Sequence, residues 1–182
     1  MKHPHRPALL LALVLFFAPS PLLACTCGAL PDVDKAVKGS SVVFTGIVLK
    51  VEYFGLGETM IFDSLVVART LAIHAAKNFL EVPMVLKATM LVTNDFKGVK
   101  KKDTIVVYTG IRGATCGFKF ETNKEYTVYG TTENYMYMFL YVDRQRFKNF
   151  SRKGIYYTSI CSRTTVAVGR EQASLNEHLK KK

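Results

Sequence analysis

Two cysteines one residue apart, Cys25 and Cys27, stand directly behind an apolar leader, and that placement constrains the chain more than any other feature. Lys2 and Arg6 make a basic start, and Leu9 to Ala18 is an unbroken apolar run. Pro19-Ser20-Pro21 interrupts it, and Leu22-Leu23-Ala24 leads into Cys25. A basic segment, an apolar segment and then small residues is the order of a secretory signal. The apolar run is too short for a transmembrane helix. Residues 1–24 are therefore read as a signal peptide, and reasoning about the fold starts at Cys25. An even number of cysteines in an exported chain (Cys25, Cys27, Cys116 and Cys161) predicts two disulfides. Spacing alone leaves all three pairings open.

The 182 residues give room for one ordinary domain. With 49% hydrophobic and 21% charged residues, the composition excludes a wholly disordered or low-complexity chain. The net charge of +11 stays strongly positive once Lys2 and Arg6 are set aside.

Past the cysteines, Asp32 is placed to N-cap a short helix ending near Gly39. Ser41 to Glu52 is rich in β-branched residues and reads as a long strand, with Gly46 marking a bulge or bend. Between Tyr53 and Met84, residues Ile61, Leu65, Ala68, Ala72, Ala75 and Phe79 recur at helical spacing. Asp63, Thr70, His74, Lys77, Asn78 and Glu81 lie largely opposite, which predicts an amphipathic helix stopped before Pro83. Its charges argue against a membrane span, and it is expected to pack on its own domain rather than on a partner or membrane surface.

The remainder reads mostly as strand: Leu86–Thr93, Asp103–Thr109, Glu125–Thr131, Tyr135–Val142 and an extended Tyr156–Cys161. Asn94–Lys102 reads as a polar, basic turn and Gly110–Gly113 as a glycine-rich turn. Arg170–Leu179 reads as a closing helix, followed by a lysine tail. A mainly β fold of about five strands with one or two helices suggests a small barrel, which periodicity does not separate from a sandwich.

Cleavage before Cys25 would free its α-amino group. With the side chain held in a disulfide, the amine nitrogen and the Cys25 carbonyl oxygen would sit close enough to chelate one metal ion together. Catalytic zinc sites in proteases keep one coordination position for water, and a rigid amine–carbonyl pair would displace that water.

The start Cys25-Thr26-Cys27 resembles that of the tissue inhibitors of metalloproteinases. So do Val42-Val43-Phe44-Thr45-Gly46-Ile47-Val48, Phe96-Lys97-Gly98, Val107-Tyr108-Thr109, Cys116-Gly117-Phe118 and Glu125-Tyr126-Thr127-Val128-Tyr129-Gly130. Thr158-Ser159-Ile160-Cys161-Ser162-Arg163-Thr164 looks like the short, single-domain bacterial members of the same netrin-like superfamily. The resemblance covers most of Cys25–Thr164 apart from Tyr53–Met84. It implies a five-stranded OB-fold-like barrel over residues 25–169, with 53–84 as a helix-like insertion and 170–182 as a C-terminal helix and tail. It also implies disulfides Cys25–Cys116 and Cys27–Cys161.

Carried over by position, the resemblance implies that Cys25 chelates the zinc of a target metalloproteinase and that Thr26 enters the pocket beside it. Cys27 and Gly28 would continue along the cleft, and Ala114 and Thr115 would share the contact surface. The chain itself is expected to be neither an enzyme nor the holder of a cofactor or metal. It departs from the animal inhibitors in lacking the third disulfide of their amino-terminal domain, in lacking their second domain, and in replacing a protease-contacting loop with Tyr53–Met84.

Other readings attach to the same residues. Leu22-Leu23-Ala24-Cys25 also resembles a bacterial lipoprotein signal, in which case Cys25 would carry lipid and the chain would meet a membrane. The even cysteine count favours the disulfide. A netrin-like interaction module without inhibitory activity is the alternative function. Cys25-Thr26-Cys27 lacks the Cys-x-x-Cys spacing of redox motifs. His74 and His178, the histidines beyond the leader, give little support to a Cys–His enzyme. The cysteine spacings do not match a structural zinc site. Lys97, Lys100, Lys101 and Lys102 form the densest internal basic patch, but export argues against nucleic acid as partner.

Overall fold

The structure, a computed structural model, describes residues 27–71, 80–111, 116–135, 153–166 and 168–180. Five strands form one sheet: β1 (Val42–Phe54), β2 (Val85–Lys97), β3 (Thr104–Gly110), β4 (Glu125–Gly130) and β5 (Ile155–Tyr157). The helices are α1 (Val33–Gly39), α2 (Phe62–Leu71) and α3 (Val168–Lys180), with a 3-10 turn at Leu56–Thr59. The protein is mainly β, as its sequence predicts.

The strand order is β4-β1-β2-β3-β5. Only the β3–β5 pair is parallel, so the sheet is mixed. Among the described residues the ladders do not close into a barrel. The two ends of the sheet meet at an isolated bridge, where the Thr131 and Tyr157 backbones exchange hydrogen bonds of 2.9 and 2.8 Å.

Strand periodicity builds the main core. Val42, Phe44 and Val48 of β1 face inward with Ala88, Met90 and Val92 of β2, Ile105 and Val107 of β3, and Tyr126 and Val128 of β4. Phe120 closes this core, packing its ring edge-on to Tyr126 with centroids 5.0 Å apart. The other sheet face is covered twice. Helices α1 and α3 pack Ala36, Val37 and Leu175 against Val43 and Tyr129. The segment between β1 and β2 packs Leu56, Met60, Ala68 and Leu80 against Val85, Tyr108 and Tyr157. With both faces covered, β4 is buried at every position after Glu125.

Helix α1 follows its sequence signal. Asp32 is the N-cap, and its carboxylate accepts the Lys35 amide at 2.8 Å. Helix α3 is joined to α1 by His178 Nδ1 on the Asp34 carboxylate. The bulge at Gly46 is present: the β1–β2 register shifts between Thr45 and Gly46. A side chain there would start 2.9 Å from the Leu91 carbonyl oxygen, so close strand approach demands glycine.

The structure corrects two boundaries. β2 does not stop at Thr93 but runs to Lys97, so Asn94 to Lys97 are strand and not turn. These residues pair with Thr45, Phe44 and Val43 across the bulged ladder. Lys97 then spends its ammonium group on the Val37 and Ser40 carbonyls at 2.8 and 2.5 Å, capping the end of α1. Tyr156–Cys161 is not one extended stretch: β5 ends at Tyr157 and a turn occupies 160–163. Between β1 and β2, helix covers Phe62–Leu71, and Leu65 and Ala68 pack inward as their spacing predicts. The rest of that pattern, Ala72 to Phe79, lies outside the described residues, as does the Tyr135–Val142 strand beyond Tyr135.

Candidate functional site

The turn after β5 gathers the cysteines. Ser162 Oγ donates to the Ser159 carbonyl at 2.7 Å, and the Cys161 amide donates to Ser159 Oγ at 3.2 Å. This small hydroxyl-rich turn presents Cys161 to Cys27, and the two form a disulfide with Cα atoms 5.3 Å apart. The Ile160 amide donates to the Cys116 carbonyl at 3.0 Å, which brings Cys116 beside the same cross-link. Cys116 is itself disulfide-bonded. Among the described residues no cysteine is free.

The Cys116 segment is fixed by close packing on the end of β3. Gly117 passes so near the strand that a Cβ would sit 1.6 Å from the Gly110 carbonyl oxygen. The next amide, of Phe118, donates to Thr109 Oγ1 at 2.8 Å. Tyr135 adds a strut: its hydroxyl donates to the Thr158 carbonyl at 2.8 Å and accepts from the Gly110 amide at 3.3 Å. Burial pushes the Tyr135 phenol up from its ordinary pKa, so it holds its proton for that bond.

A second support reaches the segment that follows Cys27. Arg163 makes a two-pronged contact with Glu171 of α3, Nε to Oε1 at 2.6 Å and the second prong to Oε2 at 3.0 Å. Its remaining nitrogen donates to the Pro31 carbonyl at 3.1 Å. The Tyr129 hydroxyl donates to Glu171 Oε1 at 2.5 Å. Burial, then the bond to Glu171, raises the Tyr129 pKa, and the bond to Glu171 raises that of Arg163. One buried carboxylate thus ties β4, the cysteine turn, α3 and the chain just past Cys27. Beneath them lies a cavity of about 200 Å³, with Pro31, Lys35, Tyr129, Thr158 and Ser162 in its walls.

Of the residues the sequence singled out, Cys27, Gly28, Cys116 and Cys161 are described; Cys25, Thr26, Ala114 and Thr115 lie outside the described residues. Cys27, Cys116 and Cys161 come together. Gly28 is exposed, with nothing within 4 Å of where a side chain would begin. Leu30 and Ile160 stand 58% and 40% exposed on the same stretches of chain, leaving apolar surface near the cross-link. Sequence reasoning missed Arg163, Glu171, Tyr129 and Tyr135 as supports. The one available signal was an acidic residue in the first turn of a predicted helix with an arginine eight residues before it, too common a pattern to use alone.

Among the described residues no group of three or more His, Cys, Asp or Glu side chains is arranged to hold a metal. Nor is any helix among them long and apolar enough to cross a membrane. No family model and no curated protein matches the chain.

Proposed function

We propose that this chain is an exported inhibitor of zinc metalloproteinases, built on an OB-fold-like, netrin-like domain, that acts through the free amine and carbonyl of Cys25. The observation carrying the proposal is the cross-linked cluster of Cys27, Cys161 and Cys116. Cys25 lies two residues upstream of the Cys27 anchor, so a second bridge from Cys25 to Cys116 would clamp the N-terminal tripeptide on both sides. The lipid-anchored alternative requires an unpaired Cys116, and a disulfide-bonded Cys116 counts against it.

The OB-fold reading is supported by the strand order, the parallel β3–β5 pair and the bridge from Thr131 to Tyr157 that joins the sheet's ends. Inhibition follows from chelation: the amine–carbonyl pair replaces the zinc-bound water of the target, and Thr26 fills the adjoining pocket. Gly28, Leu30, Ile160, Ala114 and Thr115 would contribute the surrounding contact surface.

The test is non-reducing peptide mapping of the mature protein, followed by titration against a panel of zinc metalloproteinases. An unmodified Cys25 bridged to Cys116, together with stoichiometric inhibition of at least one protease, is expected. Thr26→Gly should then alter the ranking of targets while leaving the melting temperature unchanged. A lipid on Cys25, or no inhibition by correctly bridged protein, would reject the proposal and leave a non-inhibitory interaction module.

A further inference from the structure

The cavity of about 200 Å³ beside the cysteine turn lies between α1 and the ends of β4 and β5. Tyr129, Tyr135 and Tyr157 stand in its walls, together with Pro31 and Ala36. The hydroxyl groups around it are already engaged. Thr158 donates to the Tyr129 carbonyl at 3.0 Å, Ser162 to the Ser159 carbonyl at 2.7 Å and Ser40 to the Ala36 carbonyl at 2.8 Å. The Ser159 hydroxyl accepts the Cys161 amide, the Tyr129 phenol donates to Glu171, and the Tyr135 phenol donates to the Thr158 carbonyl. With these groups spent on the fold, the space offers a ligand mainly apolar and aromatic contact.

One charge borders this space. Among the described residues in its wall, Lys35 alone carries a charge. Its ammonium group lies 3.3 Å from the Asp32 carboxylate, but the two side chains are 78% and 57% exposed. An exposed pair of that kind holds its partners weakly. Asp32 has a separate task, accepting the Lys35 amide as N-cap. Lys35 can therefore turn its ammonium group to an anion at the mouth of the cavity.

The walls are set before any ligand arrives. Arg163 holds the Pro31 carbonyl at 3.1 Å, the Tyr135 hydroxyl links Thr158 to Gly110, and Thr131 and Tyr157 are tied backbone to backbone. A preformed space needs little ordering when it is filled. An apolar cavity of about 150 Å³ takes up benzene, so one of about 200 Å³ admits a single ring with a short tail. Tyrosine walls favour an aromatic ring, which gains edge and face contacts beyond simple burial.

We propose that this cavity binds a small aromatic carboxylic acid, its ring against the tyrosines and its carboxylate on Lys35. The bound acid would touch both α1, just past Cys27, and the turn that carries Cys161, bracing the two sides of the Cys27–Cys161 cross-link. Binding there requires only the cavity and is independent of protease inhibition.

The test titrates 3-phenylpropionate into the full chain from Cys25 onward, followed by NMR, with the Ala36 and Thr158 methyl groups as reporters in the cavity wall. Saturable binding with a Kd of about 1 mM or tighter is expected, with nuclear Overhauser effects from the ligand's ring protons to both methyl groups. Lys35→Gln should weaken binding about threefold or more. Lys38→Gln, an exposed change on the same helix outside the cavity wall, should weaken it less than about 1.5-fold. The neutral 3-phenylpropanamide should bind native protein about as weakly as the acid binds Lys35→Gln. No saturation by about 10 mM, or Overhauser contacts only to methyl groups elsewhere, would overturn the site. Equal affinity of native protein for the acid and the amide would overturn the acid as its ligand class.

Discussion

Replacing Glu171 by glutamine removes the charge on which three elements converge. The carboxylate is buried, with its side chain 10% exposed, and that of Arg163 is 25% exposed. In the native protein it accepts both prongs of Arg163 and the Tyr129 hydroxyl. Glutamine turns one acceptor oxygen into an NH2 group that faces the guanidinium. Arg163 keeps the Pro31 carbonyl, and one of its prongs loses its acceptor. Leaving a largely buried charge unpaired costs about 3–5 kcal/mol, and the partial exposure of Arg163 argues for the lower end, about 3 kcal/mol. For a domain of this size that corresponds to a fall in melting temperature of roughly 6–12 °C. Thermal unfolding followed by far-UV circular dichroism would read it. Arg163→Met should cost a similar amount, and Arg163→Met/Glu171→Met should cost about 1 kcal/mol or more less than the sum of its single changes. A loss under about 1 kcal/mol for Glu171→Gln, with strict additivity in the double variant, would place the pair with exposed surface ion pairs and refute the reasoning.

Three further outcomes are expected. The Cys27–Cys161 bridge spans 134 positions, so Cys27→Ser/Cys161→Ser should lose up to about 5 kcal/mol by a chain-entropy treatment; a urea midpoint close to native would contradict it. Gly117→Ala forces a methyl group to within 1.6 Å of the Gly110 carbonyl unless the chain shifts, and should cost about 3 kcal/mol in a denaturant titration. Burial raises the phenol pKa values of Tyr129, Tyr135 and Tyr157, so the unfolded chain, whose phenols ionise near pH 10, sheds protons that the native state keeps. The stabilisation is therefore whole below about pH 10 and is lost as pH rises above it, which melting curves between pH 8 and 11 would detect as a falling midpoint; a flat profile would contradict that burial.

Local chemistry made part of this legible in advance. Asp32 caps α1 because its carboxylate needs only a neighbouring amide, a short-range relation that sequence displays. Gly46 announced its bulge because a strand otherwise rich in β-branched residues had no other use for glycine. The end of β2 was hidden because Asn94 and Asp95 are poor strand formers; they pair only because β1, already bulged, lies alongside. The fate of Lys97 was equally hidden, since its carbonyl partners lie 57 and 60 positions away. At the cysteine cluster the half-cystines were visible by type, but the turn presenting Cys161 depends on Ser159 and Ser162 hydroxyls satisfying backbone groups. The Arg163–Glu171–Tyr129 junction depends on three elements meeting in space, which no periodicity records.

The most direct test of the proposed mechanism concerns Cys25 as the first residue of the proposed mature chain. Protein beginning at Cys25 and protein extended by one alanine before it should share the same melting temperature and the same Cys27–Cys161 bridge. Both are then titrated against a metalloproteinase that the native form inhibits. If the Cys25 amine and carbonyl chelate the target's zinc, the extended form loses inhibition. Native inhibition should also weaken below about pH 7.7, as the α-amino group takes up its proton. Equal inhibition by the extended form would contradict chelation.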